Sequence, residues 1–226
     1  MSLRARSLRS DRRAALALVL LAVMILPFAH YAADFGLRGL SGTLKDATYL
    51  FDPARPFANV TIFLHMITGA VITLAAPVQI IPSLRARWPR LHRITGRIIA
   101  PLALVTSLAG LSYIFLRGTI GGWPMDAGFG LYGLLMLLAA VQTFRLARAK
   151  DFTAHRQWAL RLFVLAIGSW LYRLHYTLWY LATGGLWSTP KFTGLFDYAQ
   201  MVGFYLPYLI LLEIYLRRAP EPLPSS

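Results

Sequence analysis

Apolar residues run through this chain in long blocks, with polar residues gathered between them. The blocks fall at about 14–32, 57–82, 93–116, 128–147, 156–182 and 200–216. Each is close to the ~20 residues that carry a helix across ~30 Å of hydrocarbon. The pattern therefore predicts an all-α fold: a single membrane domain over residues 1–226 with six transmembrane helices. Residues 33–56 form a polar loop holding Asp34, Asp46 and Asp52. Pro82 stops the second block, and Gly-Gly-Trp-Pro at 121–124 reads as a breaker before the fourth.

Composition agrees with the pattern. The chain is 57% hydrophobic and 14% charged, with a mean hydropathy of +0.55; a soluble domain carries ~25% charged residues. A net charge of +14 would suggest nucleic acid in a soluble protein. Here the bases flank apolar blocks, so nucleic acid is set aside. The chain has no cysteine, which excludes disulfides, thiolate metal sites and Cys-attached haem.

The distribution of bases orients the helices. Of 23 lysines and arginines, 17 lie at the termini and around the loops after the second and fourth blocks. Five (Arg38, Lys45, Arg55, Arg117 and Lys191) lie in the opposite loops, and Arg173 is embedded in the fifth block. Basic loops stay in the cytoplasm, so both termini are expected there. Tyr31, Tyr49, Trp123, Trp179, Tyr180 and Trp187 gather at the other side, as an interfacial belt does. The charged start followed by an apolar run resembles a signal peptide. The run is long for one and lacks a small-x-small cleavage site, so a retained first helix is expected.

Two stripes stand out. His65, Gly69, Ile72, Ala76 and Gln79 share one face of the second helix. Gly96, Ala100, Ala103, Ser107 and Gly110 make a small-residue stripe on the third, and one turn back it reaches His92. Small residues let helices approach closely in lipid, and lipid offers His65 and Gln79 no partner, so both stripes should face inward. On the fifth helix His155 and Arg173 share one face, while Arg161, Gly168 and His175 share nearly the opposite one. Arg161 and Glu213 lie at matching depths of the fifth and sixth helices, and a contact between them is expected because an unpaired embedded charge is costly.

The histidines are the candidate chemistry. His65 and His175 lie ~10–12 Å in from the outer ends of their helices, and His92 and His155 lie at the cytoplasmic boundary. Neutral imidazoles from two helices can supply both axial ligands of a haem b. This makes His65 and His175 candidate ligands to haem iron, with Arg173 for a propionate. His92 and His155 form a second candidate pair, with Arg93, Arg97 and Arg156 nearby. The plainer alternative stands beside it. An embedded histidine is also a helix–helix hydrogen bond, and His-Arg at a helix start is also a solvated cap or an anionic-lipid contact. His30, near the end of the first helix, reads as interfacial. There is no His-x-x-x-His motif, phosphate loop or Ser/His/Asp set. Helices two to five have no mid-membrane Gly/Pro break of the kind that builds a transporter site.

The block from His65 to Arg173 resembles an uncharacterised family of bacterial multi-pass membrane proteins, a domain of unknown function. The matching residues are His65 with Gly69, Gln79, Leu91-His92-Arg93, Gly96-Arg97, Gly110, Gly128-Phe129, and His155-Arg156-x-Trp158 with Arg161. The resemblance implies the bacterial plasma membrane and no established activity. By architecture alone the chain is similar to six-helix di-haem cytochromes b, which place paired histidines at two depths on four core helices. Here His155 and His175 share one helix, ~30 Å apart, which leaves one haem or none open. The expected function is thus haem b binding with electron transfer within or across the membrane, to quinone or within a larger complex. The alternative is a non-enzymatic accessory or lipid-binding protein whose His and Arg residues are structural. Either would contact membrane lipids, anionic headgroups included.

Overall fold

A computed structural model describes residues 3–45 and 47–218, with side chains from residue 13 onward. The side chains of Arg4, Arg6, Arg9 and Arg12, together with Asp46, lie outside the described residues, as does the Pro-rich end at 219–226. Helices are the regular elements of the described residues, joined by turns, with no strand among them. They group into two compact units, Met1–Tyr113 and Ile114–Ser226.

The first unit holds α1 (Leu3–Leu40), α2 (Pro56–Gln79), α3 (Pro82–Arg87) and most of α4 (Pro89–Arg117). Three of these helices start on a proline, where the missing N–H has no helical acceptor to lose. The stretch between the expected helices 57–82 and 93–116, expected to be a basic loop, holds most of the short helix α3. Helix α1 packs along α2. A Cβ on Gly36 would sit 2.7 Å from Ile67 Cγ1, and one on Gly39 would sit 2.2 Å from Phe63 Cδ1. Gly39 thus makes the hollow that receives the fully buried Phe63 ring, and Gly36 lets the α2 backbone and Ile67 come close. At the start of α2, Asn59 clamps the incoming loop: its Oδ1 accepts from the Asp52 N–H (2.9 Å) and its Nδ2 donates to the Asp52 carbonyl (2.8 Å).

The second unit holds α5 (Gly122–Arg148), α6 (Phe152–Ala166), α7 (Gly168–Thr183), α8 (Leu195–Gly203) and α9 (Leu206–Arg218). Helix α5 begins six residues before the expected 128, since Pro124 lies in its first turn, where proline is tolerated. The expected single helix at 156–182 is two helices meeting at Ile167. The Tyr132 hydroxyl donates to the Leu165 carbonyl there, and a side chain inserted into the i→i−4 ladder is a recognised cause of a break. The sixth expected helix, 200–216, starts earlier, at Leu195, and breaks at Phe204–Tyr205. Pro207 accounts for this break: it has no N–H for the Gly203 carbonyl. Aromatic rings of Phe129, Tyr132, Tyr172, Phe204 and Tyr205 fill the space between these helices, with centroids 4.9–5.5 Å apart.

Among the described residues, five segments are long and apolar enough to cross a membrane: Arg13–Leu40, Pro56–Gln79, Pro89–Arg117, Gly122–Arg148 and Leu195–Arg218. The segment expected as the fifth crossing is not among them.

Candidate functional site

Within the first unit, the two stripes read from the sequence face each other. Ile72 and Ala76 of α2 and Ala100, Ala103 and Ser107 of α4 are all buried. A Cβ on Gly69 would meet Thr106 at 3.6 Å, and one on Gly96 would meet Gln79 Oε1 at 3.8 Å. The hydroxyls of Thr68 and Thr106 lie 2.7 Å apart and join the helices.

His65 sits in this seam. Its Nδ1 is 2.8 Å from the Thr106 carbonyl oxygen, and its ring packs on Gly110, where a Cβ would fall 2.8 Å from Nδ1. A carbonyl only accepts, so Nδ1 carries the proton. In the neutral ring, Nε2 then carries the lone pair. One end of the seam is closed by Gln79 Nε2 donating to Thr95 Oγ1, and Thr95 donates in turn to the Leu91 carbonyl (2.8 Å). His92, one turn before Gly96, is half-buried beside this pair and lines the same cleft as Arg85. Arg93 and Arg97 are exposed on α4. His30 is exposed on α1, as an interfacial residue would be.

Within the second unit, His155 repeats the arrangement of His65. Its Nδ1 lies 2.9 Å from the Thr143 carbonyl of α5, so its lone pair is also on Nε2. The buried Thr143 hydroxyl beside it makes no hydrogen bond among the described residues. Asp151 caps α6 by accepting from the Ala154 N–H (3.0 Å) and so orients the turn that presents His155. Arg156 is exposed one residue on.

His175 of α7 engages both ring nitrogens. Nδ1 is 3.2 Å from the Gln200 amide of α8 and Nε2 is 2.7 Å from the Tyr208 hydroxyl of α9. Donation from Nδ1–H to Gln200 Oε1 and from Tyr208 O–H to Nε2 satisfies every atom. Gln200 and Tyr208 were not anticipated. Both lie on the sixth apolar block, where a glutamine next to a methionine carries no sequence signal of its own.

Arg173 is exposed and donates to the Ser169 carbonyl one turn back (3.1 Å). Asp197 is 1% exposed. It accepts from the Tyr176 and Ser188 hydroxyls (2.7 and 2.8 Å) and from the Thr189 and Gly194 N–H groups (2.9 and 2.8 Å). Asp126 accepts from the Thr119 N–H (2.6 Å).

The anticipated Arg161–Glu213 pair is present and bidentate. Arg161 Nε donates to Oε1 at 2.6 Å and Nη2 to Oε2 at 2.9 Å. Trp158, three residues earlier, lies under the guanidinium with its ring centroid 4.7 Å from Cζ. The bridge ties α6 to α9 and lines a cleft of about 490 Å³.

No group of three or more His, Cys, Asp or Glu residues that could hold a metal ion occurs among the described residues.

Apolar helices of membrane-spanning length with inward-facing polar seams define a multi-pass integral membrane protein. The chain belongs to the DUF2306 family: the family model, described as a predicted membrane protein, matches residues 62–215. No curated protein and no solved structure matches it.

Proposed function

We propose that this membrane protein binds haem b through histidine and carries electrons within or across the bilayer. The observation that carries the reading is the tautomer of His65 and His155. Each gives its Nδ1 proton to a backbone carbonyl, Thr106 or Thr143. Histidines that ligate a metal use this second bond to fix the ring and to raise the basicity of the other nitrogen.

Haem b supplies one-electron chemistry at its iron when bound. His65 and His175 are the proposed axial pair, with Arg173 toward a propionate. His92 and His155 form a second pair, with Arg93, Arg97 and Arg156 as propionate partners. At His175, Nδ1 is held by Gln200 and Nε2 by the Tyr208 hydroxyl, so His175 would have to release Tyr208 to serve as a ligand. In this reading residues 1–226 cross the bacterial plasma membrane six times with both termini in the cytoplasm. Quinone or a larger membrane complex is the electron partner. Labelling of Ser41→Cys and Ser83→Cys from opposite sides checks the topology; labelling of both from one side overturns it.

A second reading has its own observation. The same imidazole bonds join helices within each unit: α2 to α4, α5 to α6, and α7 to α8 and α9. Under it the protein is a non-enzymatic accessory or lipid-binding subunit whose histidines organise packing. The absorption spectrum separates the two. A Soret band that shifts on dithionite reduction supports haem; colourless, folded protein from haem-replete cells supports packing.

A further inference from the structure

The first unit contains a cleft of about 340 Å³ between α2, α3 and α4, within the ~300–1,000 Å³ typical of ligand pockets. Its walls are apolar: Val71, Leu74 and Val78 from α2, Leu84 from α3 and Ile99 from α4. Gln79, Arg85, His92 and Thr95 are the polar residues lining it. Pro82 turns the chain so that α3 starts beside the end of α2, and Arg85 comes from that helix.

The charge around this cleft is one-sided. Residues 84–97 hold Arg85, Arg87, Arg90, Arg93 and Arg97, and no Asp or Glu occurs anywhere between Asp52 and Asp126. None of the five forms a salt bridge among the described residues. Arg87 lies over the ring of Trp88 (5.9 Å to the centroid), and Trp88 is half-exposed, as an interfacial tryptophan is. The protein thus offers an apolar slot lined by Arg85, in a stretch of five arginines that form no salt bridge among the described residues.

We propose that this cleft is a binding site for one anionic phospholipid, with an acyl chain along Val71 and Val78 and the phosphate at Arg85. An acyl chain suits walls that have few polar atoms, and a phosphate is the anion a bilayer supplies next to juxtamembrane arginines. The cleft shares His92 with the proposed inner haem pair, so this proposal rests on the lipid-binding reading and competes with a haem at His92.

Native mass spectrometry of the full-length protein, with phosphatidylglycerol and phosphatidylcholine competing, tests it. One phosphatidylglycerol should be retained in preference to phosphatidylcholine. Arg85→Gln should cut that preference roughly fivefold, the effect of ~1 kcal/mol per base near a membrane surface. Val71→Phe narrows the slot from an already exposed position and should lower retention of both lipids. Lys191→Gln, in a loop of the second unit, should change neither. Monodisperse elution and unchanged helical circular dichroism show that each variant is folded. Equal retention of the two lipids by the wild type overturns the proposal. So does phosphatidylglycerol retention that ignores Val71→Phe and is competed away by inorganic phosphate, which would mean an anion site without a chain slot.

Discussion

Arg161 and the arginines of residues 85–97 both sit beside clefts, yet their charge is handled in opposite ways. Arg161 is one-fifth exposed on its side chain and has an internal carboxylate, Glu213, in a bidentate bridge. The five arginines of the first unit have no acid within reach in sequence and form no salt bridge among the described residues. A charge that goes under the membrane surface brings its counter-charge with it. Charges that stay at the boundary take theirs from the lipid.

This contrast makes removal of Glu213 the most damaging change. Glu213→Ala leaves Arg161 partly buried and unpaired. Breaking a fully buried pair costs ~3–5 kcal/mol; with Glu213 38% exposed on its side chain, a loss of about 2 kcal/mol is expected in detergent thermal unfolding. Replacing both residues by Met should recover much of it. A Glu213→Ala protein as stable as wild type would show that the bridge is ornamental.

Next in size is Gly110→Leu. A Cβ there falls 2.8 Å from His65 Nδ1 and 3.0 Å from its Cε1, so the ring must move and the Thr106 bond is lost. Overpacking of this kind costs ~1–3 kcal/mol, and unfolding midpoints measure it. The smallest effect belongs to Arg85→Gln. With no internal partner to orphan, it should stay within ~0.5 kcal/mol of wild type in stability. A stability loss comparable to that of Glu213→Ala would erase the difference between the two regions.

Much of this was legible before any coordinates. The inward stripes could be read because helix periodicity and the scarcity of polar residues in lipid act together: His65, Gly69 and Gln79 could face only one way. The Arg161–Glu213 bridge was legible from depth alone. The breaks at Ile167 and Phe204–Tyr205 were not. The first depends on Tyr132 of another helix reaching the Leu165 carbonyl, a tertiary event with no local trace. The second had a local cause, Pro207, hidden inside an otherwise continuous apolar run. Helix α3 was missed because six residues are too few to show periodicity. The histidines were recognised as candidates, but their backbone acceptors could not be foreseen, since any residue supplies a carbonyl.

The central claim, histidine-ligated haem b, is tested most directly by the absorption spectrum of the purified protein and four variants. The wild type should show a low-spin Soret band that shifts on reduction. His65→Ala and His175→Ala should each abolish it, His30→Ala should leave it intact, and Arg173→Ala should shift the reduction potential without bleaching. A folded wild type without a Soret band, or a spectrum that survives His65→Ala, contradicts the account and leaves His65 as the bond that holds α2 to α4.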